Sequence, residues 1–518
     1  MNAAIKEIVI VGGGTAGWLT AAVLGAQFKL NQQFSITLIE SPNIKTIGVG
    51  EGTWPSMAAT LRRIGIPEAQ FISECDASFK QGSKFKGWKQ GKDEQYYHPF
   101  SLPVGYSELN IVDHWLDSDM AQSFGEFASN QIPICEQHLA PKQANTPDYA
   151  SVVNYGYHLD AGKFAQLLKK HCLKNLGIKY ISDDVLSVTS TDDNIDSVST
   201  DNHGLISGDL FIDCTGFKAL LIGEHLGVPM VELNDVLFND RALAIQVPHE
   251  NEQGPISSTT NATAHSFGWI WDIALPTRRG IGLVYSSRHG SKEQALENLQ
   301  AYLKTAAPHV NVDEIVPREL SFNPGHRELH WKGNCIAIGL SAGFIDPLEA
   351  TAMALIELSA RFLSEHLPAT KSQLPYLAEQ FNKRFTHHWD NIVDFIKLHY
   401  VLSDREDSDY WLDHRSPTST PSRLKSRLEI WQQRAPWHAD VELAEQMFPP
   451  ASYQYILCGM GFKPNNNLNL RRSADNEKQL LKQLQFQKQQ QIQKLHKHLP
   501  SNRQLLETIR HNWRLNEA

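Results

Sequence analysis

The stretch from residue 8 to residue 40 constrains the fold of this chain more than any other part of its 518 residues. Ile8–Val11 is a short β-branched run, which is typical of a strand covered on both faces. The glycine-rich turn Gly12–Gly17 follows it, and residues 16–28 then predict a helix and residues 34–39 a second strand. A strand, a turn, a helix and a parallel strand make one βαβ unit. We therefore predict that a doubly wound α/β sheet begins here.

The turn itself fits the G-x-G-x-x-G pattern that binds dinucleotides. Gly12 permits a tight turn, Gly14 lets backbone N–H groups approach a pyrophosphate, and Gly17 allows close packing of the helix on the strand. Glu40 ends the next strand, where a carboxylate can accept hydrogen bonds from ribose hydroxyls. The pattern does not separate FAD from NAD. The predicted binding residues are Gly12, Gly14, Thr15, Ala16, Gly17 and Glu40.

Composition excludes several classes of protein. The chain has 48 Lys and Arg against 57 Asp and Glu, a formal net charge of −9, and 41% of its residues are hydrophobic. A disordered chain has a lower hydrophobic fraction, and a basic nucleic-acid coat has an excess of Lys and Arg, so both classes are excluded. No apolar run approaches the roughly 18 residues of a membrane span, and the first strand begins too early for a signal peptide. Because the six cysteines are scattered, we expect reduced thiols and a soluble, cytoplasmic protein.

The rest of the chain divides by pattern. After an irregular stretch over 70–160, we predict a helix over 161–176, a strand over 205–214, and a more antiparallel sheet over 235–345. Helical patterns then dominate, over 349–366, 374–402, 420–434 and 476–498. The predicted fold is mixed α/β. Residues 1–350 form a nucleotide-binding core interleaved with β segments at about 70–160 and 235–330, and residues 351–518 form a mainly helical cap.

A second glycine-rich segment, Gly48–Ser56, comes shortly after the second predicted strand. It places Gly50 and Glu51 ahead of Pro55, which stands at a plausible helix start. Glycines around a carboxylate describe a loop that can lie against a ring system. An ordinary β–α connection is equally compatible with this segment.

Together the motifs resemble those of the flavin-dependent tryptophan halogenase family over roughly residues 5 to 464. The resemblance implies an FAD-binding, Rossmann-like flavin-monooxygenase core with an interleaved β-sheet substrate region and a helical C-terminal cap. It also implies that Gly50, Glu51 and Gly339 contact the flavin. The matching segments are Gly12–Gly17, Gly50-Glu51 with Pro55, Phe79-Lys80, Gly208–Gly216, Gly268–Ile273, Gly333–Leu340 and Pro347–Thr351.

The most specific family signature, Gly-Trp-x-Trp-x-Ile-Pro, is matched by Gly268–Ile273. The chain then departs from it, because two further residues precede Pro276, so the following turn must differ. Trp269 and Trp271 lie two apart on a predicted strand and therefore face the same side. In the family such a pair separates the flavin from the substrate. The alternative is that the two tryptophans here are ordinary core residues.

The resemblance also implies a reaction. Reduced FAD and O2 give a flavin hydroperoxide, and chloride or bromide attacks it to give hypohalous acid. The backbone amides of Thr351 and Ala352 align with those that bind halide in the family. Amides at the entry to a helix suit an anion, although an ordinary solvated helix N-terminus is the alternative.

Lys80 and Glu349 match the two catalytic residues of the family. The lysine holds hypohalous acid through its ammonium or forms a haloamine through its amine. The glutamate polarises the halogen or removes the proton from the aromatic ring. Many members carry Ser after this Glu, whereas this chain has Ala350 and so lacks one hydroxyl hydrogen bond. The alternatives are a solvated surface lysine and a carboxylate stabilised by a helix dipole.

The substrate region predicts a small indole or another electron-rich aromatic rather than free tryptophan. Tryptophan-specific members grip the amino acid with a Tyr-Tyr-Glu segment ahead of a late strand. Here no such segment precedes Tyr455–Gly461, which we predict to be that strand. Met447 and Phe448 can stack on an aromatic ring. Glu442 is the one residue that could supply the missing carboxylate.

Two other functions stay open. Aromatic hydroxylases with the same flavin fold carry Asp after the glycine of the late flavin strand, whereas Leu340 follows Gly339 here. A flavin-binding protein without turnover would have no need of the two catalytic residues. His326 and His330 are four apart, but Pro324-Gly325 argues against a helical metal pair, so we predict no metal site.

The predicted partners follow from the same motifs. A single dinucleotide fingerprint leaves no second one for NAD(P)H, so we expect a separate flavin reductase to supply FADH2. The remaining expectations are a small aromatic substrate, no nucleic acid, no membrane, and a homodimer.

Overall fold

The computed structural model describes residues 3–28, 34–44, 50–118, 120–440, 446–465 and 475–517. The strands are β1 Glu7–Val11, β2 Ser35–Glu40, β3 Gly50–Gly52, β4 Ser78–Lys80, β5 Gly82–Lys86, β6 Gln95–Pro99, β7 Gly156–Asp160, β8 Lys179–Ser182, β9 Val185–Thr191, β10 Asn194–Thr200, β11 Gly204–Ser207, β12 Leu210–Asp213, β13 Met230–Glu232, β14 Arg241–Pro248, β15 Thr259–His265, β16 Gly268–Ala274, β17 Arg278–Tyr285, β18 Arg318–Ser321, β19 Gly325–Arg327, β20 Trp331–Lys332, β21 Cys335–Ala337 and β22 Gly343–Phe344.

The helices are α1 Thr15–Phe28, α2 Ser56–Ile64, α3 Glu68–Glu74, α4 Ile111–Asp117, α5 Phe124–Ala128, α6 Ile132–Glu136, α7 Ala161–Asn175, α8 Lys292–Ala306, α9 Thr351–His366, α10 Leu374–Val401, α11 Asp409–Arg415, α12 Ser422–Gln433, α13 Pro450–Gly459, α14 Asp475–His498 and α15 Asn502–Glu517.

The chain forms two compact units, each built from three separate stretches of sequence. The predicted division of the chain at residue 350 stays a prediction. The first unit contains Met1–Ala77, Leu159–Leu233 and Asn323–Trp389, and the second contains Ser78–His158, Asn234–Phe322 and Asp390–Ala518.

Within the described residues, the first unit is built on a six-stranded sheet with the order β20-β21-β12-β1-β2-β8. β1 pairs in parallel with β2 and with β12, and α1 connects β1 to β2. Ile8–Val11 are all buried, as expected for a β-branched strand with neighbours on both sides and both faces. The predicted βαβ unit and the mixed α/β fold are confirmed.

The single strand predicted over 205–214 is wrong, because two strands of different sheets occupy this stretch. β11 pairs antiparallel with β10, whereas β12 joins the parallel sheet. Asp209 lies between them, and its carboxylate accepts hydrogen bonds of 2.8 and 3.0 Å from the backbone N–H groups of Lys6 and Glu7. The polar side chain thus marks the point where the chain changes sheet, which a period-two pattern does not reveal.

In the described part of the second unit, a seven-stranded sheet has the order β18-β14-β17-β16-β15-β5-β6. Its neighbouring strands are antiparallel, except for the parallel pair of β15 and β5. The antiparallel sheet predicted over 235–345 is confirmed for β14–β18. It is wrong for β19–β22, which belong to the first unit, because alternation indicates a strand but not its partner.

The predicted C-terminal helices are confirmed by α9, α10, α12 and α14. The strand predicted over Tyr455–Gly461 is wrong, since these residues lie mostly in α13. Pro450 stands in the first turn of this helix, where its missing N–H costs nothing. Every residue from Pro450 to Cys458 is buried, so this helix has no exposed face whose period would distinguish it from a buried strand.

All six cysteines are free and buried: Cys75, Cys135, Cys172, Cys214, Cys335 and Cys458. Burial raises the pKa of each of these thiols. None of the helices in the described ranges has both the length and the apolar character needed to cross a membrane.

Candidate active site

The predicted dinucleotide turn joins β1 to α1 in the first unit. Gly12 has a φ of +115°, which residues with a side chain rarely adopt, and a Cβ there would overlap the Cys214 carbonyl oxygen. A Cβ at Gly17 would overlap the carbonyl oxygen of Gly12, so Gly17 lets α1 approach the turn closely. A Cβ at Gly14, by contrast, would meet nothing within 4 Å. Gly12 and Gly17 therefore close the turn, and Gly14 leaves space beside the start of α1.

The start of α1 suits a phosphate group. The helix begins at Thr15, so the N–H groups of Thr15, Ala16 and Gly17 lie in its first turn, where they have no intrahelical acceptor. No acidic residue stands in this turn to repel an anion. The open space at Gly14 and these donors fit the pyrophosphate of FAD.

Glu40 lies beside the same turn, because a Cβ at Gly13 would overlap its carboxylate. Its Oε2 accepts a 2.6 Å hydrogen bond from Lys169 Nζ, which also donates to the Tyr180 hydroxyl at 2.8 Å. The sequence reasoning missed Lys169, because nothing in the fingerprint specifies a cation on α7. The ion pair occupies one carboxylate oxygen, and the other can accept a hydrogen bond from a ribose.

Glu51 is a partly buried acid on β3 with an altered titration. Burial, and then the negative charge of Asp160, raise the pKa of Glu51 to about 7. Asp160 itself accepts a 3.0 Å hydrogen bond from the backbone N–H of Lys163 at the start of α7. A carboxyl group with a pKa near 7 can donate or accept a hydrogen bond at neutral pH. This suits a group facing the polar edge of a ring system.

Gly339 follows β21 and lies against the dinucleotide turn. It has a φ of +79°, and a Cβ there would approach the Cβ of Ala16 to 2.8 Å. The neighbouring strand β12 ends at Asp213, whose buried carboxylate accepts backbone hydrogen bonds of 2.8 Å from Leu221 and 2.9 Å from Ile222. The structure thus brings Gly339 to the start of α1, and Asp213 fixes the loop that follows the adjacent strand.

Glu349 lies on a strained backbone. It is 6% exposed, and both Glu349 and Ala350 have positive φ, of 66° and 55°. Such conformations cost about 1 kcal/mol or more for residues other than glycine, and they concentrate at functional sites. Trp54 Nε1 donates a 2.8 Å hydrogen bond to the Glu349 carbonyl oxygen. These features fix the position of Glu349 directly before α9.

The first turn of α9 begins at Thr351, the residue after this strained pair. The preceding Ala350 has no side-chain acceptor, so no side chain caps the N–H groups of the turn. The amides of Thr351 and Ala352 lie in this turn, and the positive end of the helix favours an anion there.

Lys80 belongs to the second unit, at the end of β4, and is 1% exposed. β4 pairs antiparallel with β7, with Lys80 opposite Gly156 and Ser78 opposite His158. The Lys80 Nζ lies 5.5 Å from the centre of the Phe100 ring. Burial, and then the positive charge of Lys80, lower the pKa of His158. Lys80 is therefore a buried lysine with the Phe100 ring and the His158 imidazole of its own unit nearby.

The two tryptophans of the signature lie on β16, as predicted. Both are buried, and their rings are 6.3 Å apart between centres. Trp271 lies opposite Gly282 on β17, where a Cβ would overlap its ring. Trp88, which sequence reasoning missed, packs 6.2 Å from Trp269. The pair is thus held by close packing within the second unit.

Met447 and Phe448 are buried in the second unit. The Phe448 ring stacks on Phe395 at 3.6 Å between centres. His98 lies beside the same pair and shares a 2.9 Å hydrogen bond with Ser452. Sequence reasoning missed Phe395, because a buried phenylalanine in a long helix carries no signal of its own. Glu442 lies outside the described residues.

The two histidines considered for a metal lie in the first unit. His326 is on β19, and His330 precedes β20, so neither stands on a helix, as predicted. Their rings stack against Trp389 at 5.4 and 6.3 Å. Across the described ranges, no group of three or more His, Cys, Asp or Glu side chains is arranged to hold a metal ion.

Known proteins resemble this chain over nearly its whole length. The family model for tryptophan halogenase matches residues 7–476. The tryptophan 6-halogenase SttH of Streptomyces toxytricini is 34% identical over 498 residues, covering 91% of this chain and 93% of the relative. A crystal structure of a tryptophan halogenase from Shewanella frigidimarina matches with a TM-score of 0.94 and 47% identity, covering 98% of each chain.

Tar14, a tryptophan C-6 flavin-dependent halogenase of taromycin biosynthesis, matches with a TM-score of 0.89 and 31% identity, covering 98% of this chain and all of the other.

Proposed function

Because the chain belongs to the tryptophan halogenase family, a family of flavin-dependent enzymes, we propose that it halogenates an electron-rich, indole-type aromatic. It uses FAD in the reduced form, O2, and chloride or bromide. A separate flavin reductase supplies the FADH2, because the sequence has one dinucleotide fingerprint and no second one for NAD(P)H.

The buried Lys80 is the observation that carries this proposal. Lysine is almost never fully buried, because removing an ammonium from water is costly unless it has a partner. At 1% exposure, Lys80 is among the largest fully buried side chains described in this chain. Such a buried position suits a group that holds a reactive electrophile away from water.

The residues divide the chemistry among themselves. When FADH2 is bound, its reaction with O2 would supply the oxidising equivalent that converts the halide to hypohalous acid. The uncapped amides of Thr351 and Ala352 bind the halide, and the wall of Trp269 and Trp271 keeps the flavin from oxidising the substrate directly. Lys80 retains the electrophilic halogen by a hydrogen bond or as a haloamine. Glu349 accepts the proton that leaves the aromatic ring after attack.

Lys80→Ala should abolish halogenation while oxidation of FADH2 continues, because Lys80 acts after hypohalous acid forms. One assay measures halogenated product and FADH2 oxidation in the presence of bromide and a flavin reductase. A second assay, without the reductase, measures whether the protein oxidises NADH directly. Lys84→Ala is the matched control, since Lys84 lies 5.2 Å from the Tyr97 ring centre in the same unit. Glu349→Gln should lower turnover by roughly 100-fold. Near-normal halogenation by Lys80→Ala, or rapid NADH oxidation without the reductase, would overturn the proposal.

For the substrate, we propose a small indole in preference to free tryptophan. Met447, Phe448 and Phe395 are buried apolar and aromatic residues, and none of the three can pair with a charge, which supports an uncharged ring. An amino acid zwitterion would need buried partners for both of its charges, and an unpaired charge costs several kcal/mol. The test compares kcat/KM for indole and L-tryptophan under identical bromide and reductase. A tenfold or greater preference for tryptophan would refute this assignment.

A further inference from the structure

The turn between the two C-terminal helices lies beside the strand that carries Lys80. α14 begins where the match to the family model ends, at residue 476, and α15 lies beyond it. Both belong to the second unit. Leu495 and Leu499 pack with Ile134 and Val153 in one hydrophobic cluster, which holds the turn in place.

Asn502, the first residue of α15, contacts β4 directly. Its side chain is fully buried, and its Nδ2 lies 3.4 Å from the Phe79 carbonyl oxygen and 3.3 Å from the Ile256 carbonyl oxygen. Phe79 immediately precedes Lys80. The backbone N–H of Asn502 also donates a 2.8 Å hydrogen bond to the His138 carbonyl oxygen. One amide side chain thus links the C-terminal turn to the strand of the proposed catalytic lysine.

The residue after Lys80 is anchored to the same turn. Gln81 is fully buried, and its Nε2 donates a 2.7 Å hydrogen bond to the Leu139 carbonyl oxygen. Leu139 forms a β-bridge with Ser501, and the N–H of Ala140 donates a 2.9 Å hydrogen bond to the Pro500 carbonyl oxygen. Both chain neighbours of Lys80 are therefore tied to the C-terminal turn, Phe79 directly and Gln81 through one intermediate segment.

The start of α15 does not require the Asn502 side chain. Ser501 caps the helix, since its Oγ accepts a 3.1 Å hydrogen bond from the Gln504 N–H and its own N–H donates 3.1 Å to Gln504 Oε1. The Oδ1 of Asn502 has no hydrogen-bond partner among the described residues. A buried amide oxygen without a partner is unfavourable. Helix capping therefore does not explain this asparagine, whereas the hydrogen bonds to the Phe79 and Ile256 carbonyl oxygens use its amide.

We propose that Asn502 is a positioning residue that holds β4 so that Lys80 retains the electrophilic halogen. This inference rests on the proposed role of Lys80. β4 has three residues, so its pairing with β7 supplies few hydrogen bonds, and the Asn502 amide adds a fixed point beside the lysine. Loss of this contact lets Lys80 shift, and hypohalous acid then escapes before it reaches the aromatic substrate.

The experiment measures three quantities for each variant: FADH2 oxidation with bromide, halogenated indole per FADH2 oxidised, and halogenation of an added β-diketone scavenger. Asn502→Ala and the nearly isosteric, uncharged Asn502→Leu, both of which remove the donor, should oxidise FADH2 at the normal rate. Product yield should fall roughly three- to tenfold, since small displacements of reacting groups have large effects on rate. The scavenger should capture the halogen that is lost, and KM for indole should stay unchanged.

Hydrogen exchange on the protein without substrate gives a second readout. Amides of residues 78–81 should exchange faster in both Asn502 variants. Gln143→Ala is the matched control, because Gln143 Nε2 donates 3.3 Å to the His498 carbonyl oxygen of the same helical hairpin without contacting β4. It should leave product yield and exchange of these amides unchanged.

The outcomes separate the two proposals. If Lys80→Ala diverts the halogen to the scavenger but Asn502→Leu keeps a yield within twofold of the wild type, the positioning role is wrong and the proposed function stands. A parallel fall of FADH2 oxidation and product in Asn502→Leu would also overturn it, because that is the signature of a structural defect. If Lys80→Ala diverts no halogen, the proposed function itself fails.

Discussion

Glu357 on α9 has a carboxylate that is buried against two hydroxyl groups. Its Oε1 accepts a 2.5 Å hydrogen bond from Thr60 Oγ1, and its Oε2 accepts one of 3.0 Å from Ser56 Oγ. Burial raises the pKa of Glu357 from 4.5 to about 7, against the opposing effects of both hydroxyls and the Arg361 charge. Glu357→Gln keeps the size of the side chain and removes its titration.

The sign of the pH effect follows from linkage. The folded protein binds the Glu357 proton more tightly than the unfolded chain does, so this group stabilises the fold fully below about pH 4.5. The contribution is lost as the pH rises to about 7. The change in pKa corresponds to about 3 kcal/mol at most. Relative to the wild type, Glu357→Gln should therefore gain about 1 to 3 kcal/mol between about pH 5 and about pH 8.

Urea unfolding followed by tryptophan fluorescence at the two pH values measures this difference. Glu365→Gln is the control, because Glu365 lies on the same helix, is exposed, and pairs with Arg63 at 3.6 Å. Its substitution should change stability by about 0.5 kcal/mol or less at either pH. An equal effect of Glu357→Gln at both pH values would refute the argument that the buried carboxyl titrates near 7.

Two further substitutions test packing. Gly12→Ala should weaken FAD binding by roughly tenfold or more, because alanine is strained at a φ of +115° and its Cβ would overlap the Cys214 carbonyl oxygen. Flavin fluorescence titration measures the affinity, and unchanged binding would contradict the role of the turn. Gly282→Ala should destabilise the protein by about 1 to 3 kcal/mol in urea, since its Cβ would displace the Trp271 ring; a neutral effect would mean that the tryptophan pair is loosely packed.

The first βαβ unit could be predicted because its signals are local. The β-branched strand, the glycine turn and the following helix each require particular residues at particular positions, and these stand within Ile8–Ile39. β16 was predictable for the same reason, since Trp269 and Trp271 alternate with residues facing the other side. In both cases the backbone conformation follows from neighbouring residues.

Features that depend on distant partners could not be predicted. Lys169 pairs with Glu40 across 129 positions of sequence, and Asn502 reaches Phe79 across 423. The spacing of hydrophobic and polar residues near Tyr455 did not reveal a helix, because this helix is buried on all sides and has no solvent-exposed polar face. The positive φ of Glu349 likewise leaves no trace in the residue type, since glutamate is not favoured there.

On the proposed mechanism, which forms hypohalous acid, the burial of all six thiols has a consequence for the lifetime of the protein. Thiolates react fastest with such oxidants, and the first products lead on to irreversible sulfinic and sulfonic acids. Burial keeps each thiol out of solvent, and the raised pKa keeps it in the less reactive protonated form. Oxidant that leaks into solution therefore meets no exposed cysteine on this chain, and self-inactivation through cysteine oxidation is limited by how often the fold opens.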